Sequence, residues 1–303
     1  MVDYDVIIVG GGAAGLTSAI YTVRAGLSTL LVEKELFGGQ IALTEGIENY
    51  PGFESIQGKD LVDKILAQAK KQGVKTKVGN VQSITTKGKE KIVEIDNEKV
   101  STRAIVLAVG STPRKLDVVG REEFDGKGVH YCVMCDGPLY KDRVCAIIGG
   151  GDAAIKESLS LAKIAKKVFV IHRREGLRAE KRWQDLAFAT KNIEFIWNSE
   201  VRGFFGEKFL DSIKIFNSKT NKESVLELSA VFTYIGHVPN TKSFDFKKDA
   251  RGYFVVDKSY QTSEEGVFAA GDCVAGNHTQ IATSVGAGAA AGMSVINYLH
   301  LKE

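Results

Sequence analysis

The sequence predicts an α/β chain assembled from two copies of one three-layer plan, and three observations carry that prediction. Glycine turns with G-x-G-x-x-G/A spacing occur twice, each behind a short apolar run and ahead of a helical stretch. Thirty-two glycines stand against four prolines, and the key ones fall at tight turns rather than in a flexible linker. At 303 residues the chain has room for roughly two domains of ~150 residues.

The first copy opens on Val6-Ile7-Ile8-Val9, a buried parallel strand. Gly10-Gly11-Gly12-Ala13-Ala14-Gly15 follows and starts a helix through Arg24. Gly10 permits the sharp turn, Gly12 lets a pyrophosphate approach the backbone, and Gly15 lets helix and strand pack closely. Free N–H groups at the helix start then face the phosphates. The next strand, Thr29-Leu30-Leu31-Val32, ends in Glu33, 23 positions after Gly10, where a Rossmann-like unit presents an acid to ribose hydroxyls. Gly38-Gly39-Gln40 and Glu48-Asn49-Tyr50-Pro51-Gly52 read as loops. A helix over 58–72, alternating strands over 82–100 and a buried strand at Ala104-Ile105-Val106-Leu107-Ala108-Val109 complete the unit, which ends in a turn at Gly110-Ser111.

Cys132-Val133-Met134-Cys135-Asp136 separates the copies. A disulfide between Cys132 and Cys135 would close almost no chain, so it suits reversible electron storage better than stabilisation. The spacing also favours a thiolate, and Asp136 stands where a carboxyl can hand a proton to a leaving sulfur. Half of a zinc site is the other reading, although Cys145 and Cys273 are distant in sequence. Cys145, within a strand, reads as core.

The second copy runs from the strand Val144-Cys145-Ala146-Ile147-Ile148 through the turn Gly149-Gly150-Gly151-Asp152-Ala153-Ala154. A helix over 155–165 and the strand Val168-Phe169-Val170-Ile171 follow. The acid is missing at position 172, where His172-Arg173-Arg174 stands, with Arg178 one turn on. Guanidinium groups there would hold a 2′-phosphate that a carboxylate would repel. The first site therefore suits an unphosphorylated adenosine ribose and the second suits NADPH; a solvated basic face or a nucleic-acid patch is the alternative. Ala230-Val231-Phe232-Thr233-Tyr234-Ile235-Gly236 closes this unit. Late in the chain, Gly266-Val267-Phe268-Ala269-Ala270-Gly271-Asp272 gives a strand, a turn and an acid, and Asp272 could also be a plain helix cap. Small residues from Thr279-Gln280-Ile281 onward predict a tightly packed helix to about Leu301.

A net charge of +3 with 25% charged and 44% hydrophobic residues points to neither nucleic acid nor membrane. The first five residues are acidic where a signal peptide would be basic, and the uncharged stretches 6–23 and 274–301 are broken by glycines or polar residues. A reducing cytoplasm is the expected compartment.

These motifs together resemble the low-molecular-weight thioredoxin reductases over nearly the whole chain. The match rests on the first glycine turn with Glu33, Gly38-Gly39-Gln40, Asn49-Tyr50-Pro51-Gly52-Phe53 and Cys132-x-x-Cys135-Asp136-Gly137. It continues through the second turn with His172-Arg173-Arg174, Gly236-His237-x-Pro239-Asn240 and Gly271-Asp272. The resemblance implies an FAD domain at 1–115 plus 246–303, with an NADPH domain at 116–245 inserted into it and carrying the C-x-x-C. FAD would meet Gly10, Gly12, Ala13, Ala14, Glu33, Lys34, Gly39, Gln40, Asn49, Gly110, Asp272, Gln280 and Ile281. NADPH would meet Gly151, Asp152, Ala153, His172, Arg173, Arg174, Arg178 and Gly236. Cys135 would react with the flavin, Cys132 with the partner's disulfide, and Asp136 would donate the proton; no metal is implied. The implied partner is thioredoxin or a thioredoxin-like protein, and the implied assembly a homodimer. Two orientations of the inserted domain, hinged near 115–118 and 244–247, are expected, because nicotinamide and dithiol belong to one domain yet share one flavin. Thr279, Ala287, Asp152 and Ala108-Val109-Gly110 depart from the family's usual residues. Reductases serving peroxidases, reductases fed by other electron donors, oxygen-using dithiol oxidases and a zinc-bound interaction module are the competing readings.

Overall fold

The computed structural model describes residues 2–43, 47, 49–88 and 90–300. The expectations for Glu48 and Leu301 lie outside the described residues, as does the side chain of Cys135. The chain divides into two compact units, Met1–Thr112 with Val238–Glu303, and Pro113–His237. The crossings fall at 112/113 and 237/238, where the sequence reading puts 115/116 and 245/246.

In the first unit β1 (Tyr4–Val9), α1 (Ala13–Arg24) and β2 (Thr29–Glu33) form the expected strand–turn–helix–strand. α2 (Gly58–Lys71), β3 (Lys75–Val78), β4 (Val81–Lys87), β5 (Glu90–Ile95) and β6 (Glu98–Leu107) follow. The parallel order is β3-β2-β1-β6. β1 is apolar at consecutive positions because both of its faces are covered: Val6 and Ile8 join the core under the helices, Ile7 and Val9 the core on the opposite face. The break expected between the strands over 82–100 and the strand beginning at Ala104 is absent: β6 runs unbroken through ten residues. Its first half pairs antiparallel with β5, which continues into β4. Gly39–Leu43 forms a short 3-10 turn where a loop was expected.

β7 (Ser111–Pro113) leads out of this unit. In the second unit α3 (Arg121–Phe124), β8 (Val129–His130), α4 (Val133–Asp136), β9 (Val144–Ile148), α5 (Asp152–Ala162) and β10 (Lys167–Ile171) come first. α5 begins three residues before the expected start, directly at the glycine turn. α6 (Lys181–Ala189), β11 (Ile193–Ile196), β12 (Ser199–Gly206), β13 (Leu210–Asn217), β14 (Lys222–Glu227) and β15 (Ala230–Thr233) follow. The parallel sheet has the order β11-β10-β9-β15-β8. Helices cover one face through Cys145, Ile147, Val168 and Val170, and the antiparallel β12–β14 sheet covers the other through Ala146, Ile148, Phe169 and Ile171. This is the second three-layer stack.

The chain returns through β16 (His237–Pro239), which pairs with β7. β17 (Val267–Ala269) then lies parallel to the second half of β6, and α7 (Ile281–His300) ends the described chain. α7 packs on α1 at backbone range: a Cβ at Gly288 would sit 2.2 Å from the Ala14 carbonyl oxygen, and the Ser18 hydroxyl donates to Gly288 at 2.7 Å. Among the described residues no helix is long and apolar enough to cross a membrane.

Candidate functional site

Two glycine turns form two cradles with one geometry. In the first, Gly10 takes φ +104°, and a Cβ there would lie 2.3 Å from the Ala108 oxygen at the end of β6. A Cβ on Gly11 would strike Phe37 and Glu33, whereas one on Gly12 would meet nothing within 4 Å. Gly12 is the N-cap of α1 and gives it no side-chain cap, so the first amides of the helix face an open hollow. A Cβ would fill that hollow; a pyrophosphate fits it. Glu33 accepts the Gly11 amide at 2.6 Å, which fixes the carboxylate beside the turn. Ala13 and Ala14 are buried at the helix start, and Lys34 is exposed next to Glu35.

Further candidates gather within the same unit. The Gln40 amide donates to the Ser111 carbonyl, directly after Gly110 at φ +63°. The Ser111 hydroxyl is buried with no partner, an orphan polar atom of the kind a bound group would satisfy. Asn49 donates to the Gln280 side chain at 2.9 Å, bringing together two candidates 231 positions apart. Asp272, after β17, accepts the Ser284 hydroxyl of α7 at 3.0 Å. Gly39 opens the 3-10 turn next to Gln40, and Ile281 begins α7 half-buried. Of the departures, Ala287 is buried in the α1–α7 core and Thr279 is exposed.

The second cradle repeats the first. Gly149, at φ +151°, backs against the Tyr234 carbonyl oxygen at the end of β15, and Gly151 caps α5 with open space where its Cβ would be. A Cβ on Gly150 would strike the His172 ring, as one on Gly11 would strike Glu33. His172 is therefore buried under the turn, its Nε2 without a partner. Burial and the neighbouring arginines hold the imidazole's pKa below its ordinary value. Arg173, Arg174 and Arg178 are exposed, and the Arg178 amide donates to the Gly150 carbonyl at 2.7 Å, which anchors the basic loop to the turn. The Asp152 carboxylate accepts the Glu180 amide at 2.8 Å at the start of α6, so its charge is engaged by the backbone. Ala153 is exposed on the first turn of α5, and Gly236 takes φ +104° beyond β15.

The dithiol segment lies in the same unit. Cys132 is disulfide-bonded, while Cys145 and Cys273 are free. Burial pushes both free thiols up to about 12, which makes them inert packing groups. α4 carries the segment as one helical turn: the Asp136 amide donates to the Cys132 carbonyl at 3.1 Å, and the Val133 amide to the Tyr234 hydroxyl at 2.9 Å. Val133 is buried against α5 and anchors the turn. Asp136 Oδ2 lies 3.2 Å from Nδ1 of His130, whose Nε2 is 2.7 Å from the Tyr140 hydroxyl. Sequence reasoning missed His130, Tyr140 and Tyr234; the one available signal was a histidine two positions before Cys132.

Each unit thus holds a helix whose first amides are open; an acid stands beside the first turn, a basic loop beside the second, and a disulfide-bonded cysteine lies in the second unit. A protein-family model described as pyridine nucleotide-disulphide oxidoreductase matches residues 4–291. The thioredoxin reductase of Listeria innocua is 42% identical over 304 residues, covering 99% of this chain and 95% of that protein. The crystal structure of Lactococcus lactis thioredoxin reductase superposes with a TM-score of 0.92 at 35% identity, covering 99% of this chain and 100% of the other. That of T. acidophilum thioredoxin reductase gives 0.90 at 33% identity, covering 99% of each.

Proposed function

The chain belongs to the pyridine nucleotide-disulphide oxidoreductases, and from that premise we propose that it is a thioredoxin reductase that draws on NADPH and FAD to reduce the disulfide of thioredoxin. The observation that carries the reading is a disulfide-held Cys132 directly before a one-turn helix, in a chain with two open glycine cradles, one with an acid beside it and the other with arginines.

When bound, FAD and NADPH supply the two-electron chemistry that opens the Cys132–Cys135 disulfide. The chain's own residues bind, orient and move protons. Gly10, Gly12, Ala13 and Ala14 receive the FAD pyrophosphate on the α1 amides, Glu33 its ribose, and Lys34 flanks it. Gly39, Gln40, Asn49, Gly110, Asp272, Gln280 and Ile281 line the flavin side. Gly151, Asp152 and Ala153 receive the NADPH pyrophosphate on the α5 amides, with Gly236 beside them. Arg173, Arg174 and Arg178 hold its 2′-phosphate, and His172 braces the turn from beneath. Cys135 would be the thiol that reacts with the flavin, Cys132 would attack the partner's disulfide, and Asp136 would protonate a leaving thiolate. The domain carrying dithiol and NADPH alternates between two orientations, the dimer forms through the FAD domain, and the enzyme acts in the cytoplasm.

The test is steady-state reduction of the host's own thioredoxins with NADPH against NADH. Efficient NADPH-driven reduction with weak NADH activity is expected; a yellow protein that oxidises NADPH yet leaves every thioredoxin oxidised contradicts the assignment.

A further inference from the structure

The dithiol helix carries a second polar feature behind Asp136. His130 is only 5% exposed, at the end of β8, and both of its ring nitrogens are engaged by ionisable partners. Nδ1 faces the Asp136 carboxylate at 3.2 Å and Nε2 faces the Tyr140 hydroxyl at 2.7 Å. The Phe232 ring of β15 stacks on the imidazole, with centroids 5.4 Å apart, and fixes its plane. We propose that Asp136, His130 and Tyr140 form a proton relay, in which His130 and Tyr140 are positioning residues that resupply Asp136 while it protonates the thiolate leaving a partner's disulfide. The proposal rests on the thioredoxin-reductase reading.

The geometry suits a relay because its end groups can reverse. A tyrosine hydroxyl donates or accepts, and a neutral imidazole donates from one nitrogen while accepting at the other. Nδ1–H with Tyr140 O–H donating to Nε2 serves ionised Asp136; the opposite tautomer serves the protonated acid. Burial disfavours the imidazolium, and the Asp136 and Asp125 carboxylates oppose that only in part, so the imidazole passes a proton without storing charge. Beyond Asp136, the half-buried Tyr234 accepts the Val133 amide of the same turn, and the Glu157 and Asp136 carboxylates both act on its hydroxyl. Asp136 itself is half-buried. A protein docked over the turn would shut bulk water from its open side, leaving the path through the imidazole to half-buried Tyr140.

The step balances without added redox equivalents. The Cys132 thiolate attacks the partner's disulfide, its S–S bond breaks, and a mixed disulfide forms. The departing thiolate takes a proton from Asp136. Asp136 regains one from Nδ1 as Nε2 takes the Tyr140 proton, and Tyr140 is replenished from water.

The test uses holoenzyme reduced anaerobically with NADPH, then mixed with oxidised thioredoxin or with dithiobis(nitrobenzoate). The nitrothiophenolate is a far better leaving group than an alkyl thiolate and needs no proton. His130→Asn can still donate to Asp136 but cannot relay. It should lower the turnover number for thioredoxin by roughly 10- to 100-fold with little change in KM, and leave reduction of the small disulfide within about twofold. Tyr140→Phe should give the same split and serves alone if His130→Asn fails to fold. Equal slowing on both disulfides, or no slowing on either, overturns the relay. Wild-type holoenzyme that reduces only the small disulfide overturns the underlying reading itself.

Discussion

Gly12 and Gly15, three positions apart in one turn, carry opposite burdens. A Cβ on Gly15 would lie 1.8 Å from the Gly10 oxygen, while one on Gly12 would project into open space. Gly15→Ala should therefore destabilise the protein by about 1–3 kcal/mol or prevent folding, visible as a lowered thermal midpoint. Gly12→Leu should keep the fold and lose bound FAD, read from the visible absorbance per protein; equal thermal losses in both variants would contradict this division. Glu157 offers a second residue-level test. Burial alone raises its carboxyl to about 7, and its Oε2 has no partner. The folded state then binds the extra proton between the ordinary carboxyl value of 4.5 and about 7, so stability is fully present below that window and declines as pH rises through it. The decline should be on the order of 3 kcal/mol, seen in urea midpoints at both ends, and Glu157→Gln should flatten it. A slope unchanged in Glu157→Gln would assign it to another group.

At the scale of elements, the loop after β10 is the proposed discriminator between NADPH and NADH. Arg173, Arg174 and Arg178 are exposed and tied to the glycine turn through the Arg178 amide. Replacing Arg173 and Arg174 with alanine should raise KM for NADPH roughly 10- to 100-fold and leave that for NADH within a few-fold, since lost charge-assisted bonds to a 2′-phosphate account for the difference. Equal rises for both nucleotides would place the arginines elsewhere. The paired strand–turn–helix–strand units were legible in the sequence because their signals are local: apolar runs, glycine spacing, and the residue 23 positions on. The β12–β14 sheet was not, because its strands are defined by pairing between segments and not by any short motif. β6 hid its length behind Thr102 and Arg103, polar residues inside a continuous strand. His172 and Asp152 were legible as cradle residues, but not as buried brace and backbone cap, since each acquires that role from a partner across the turn. The contact between His130 and Asp136 arises only once α4 folds back on β8.

At the scale of the whole molecule, one chain holds two three-layer α/β units, and the strands that leave and re-enter the first unit, β7 and β16, pair with each other. In the proposed function every part converges on sulfur: both cradles would serve to bring electrons from a nicotinamide to Cys132 and Cys135 and then to a protein disulfide. Counting free thiols tests this most directly. Anaerobic holoenzyme should be treated with one equivalent of NADPH, alkylated, and its cysteines mapped by mass spectrometry before and after oxidised thioredoxin is added. Alkylation at Cys132 and Cys135 after NADPH, lost again when thioredoxin is supplied, is the predicted result. Flavin that bleaches while both sulfurs stay joined, or thiols that persist in the presence of oxidised thioredoxin, would contradict it.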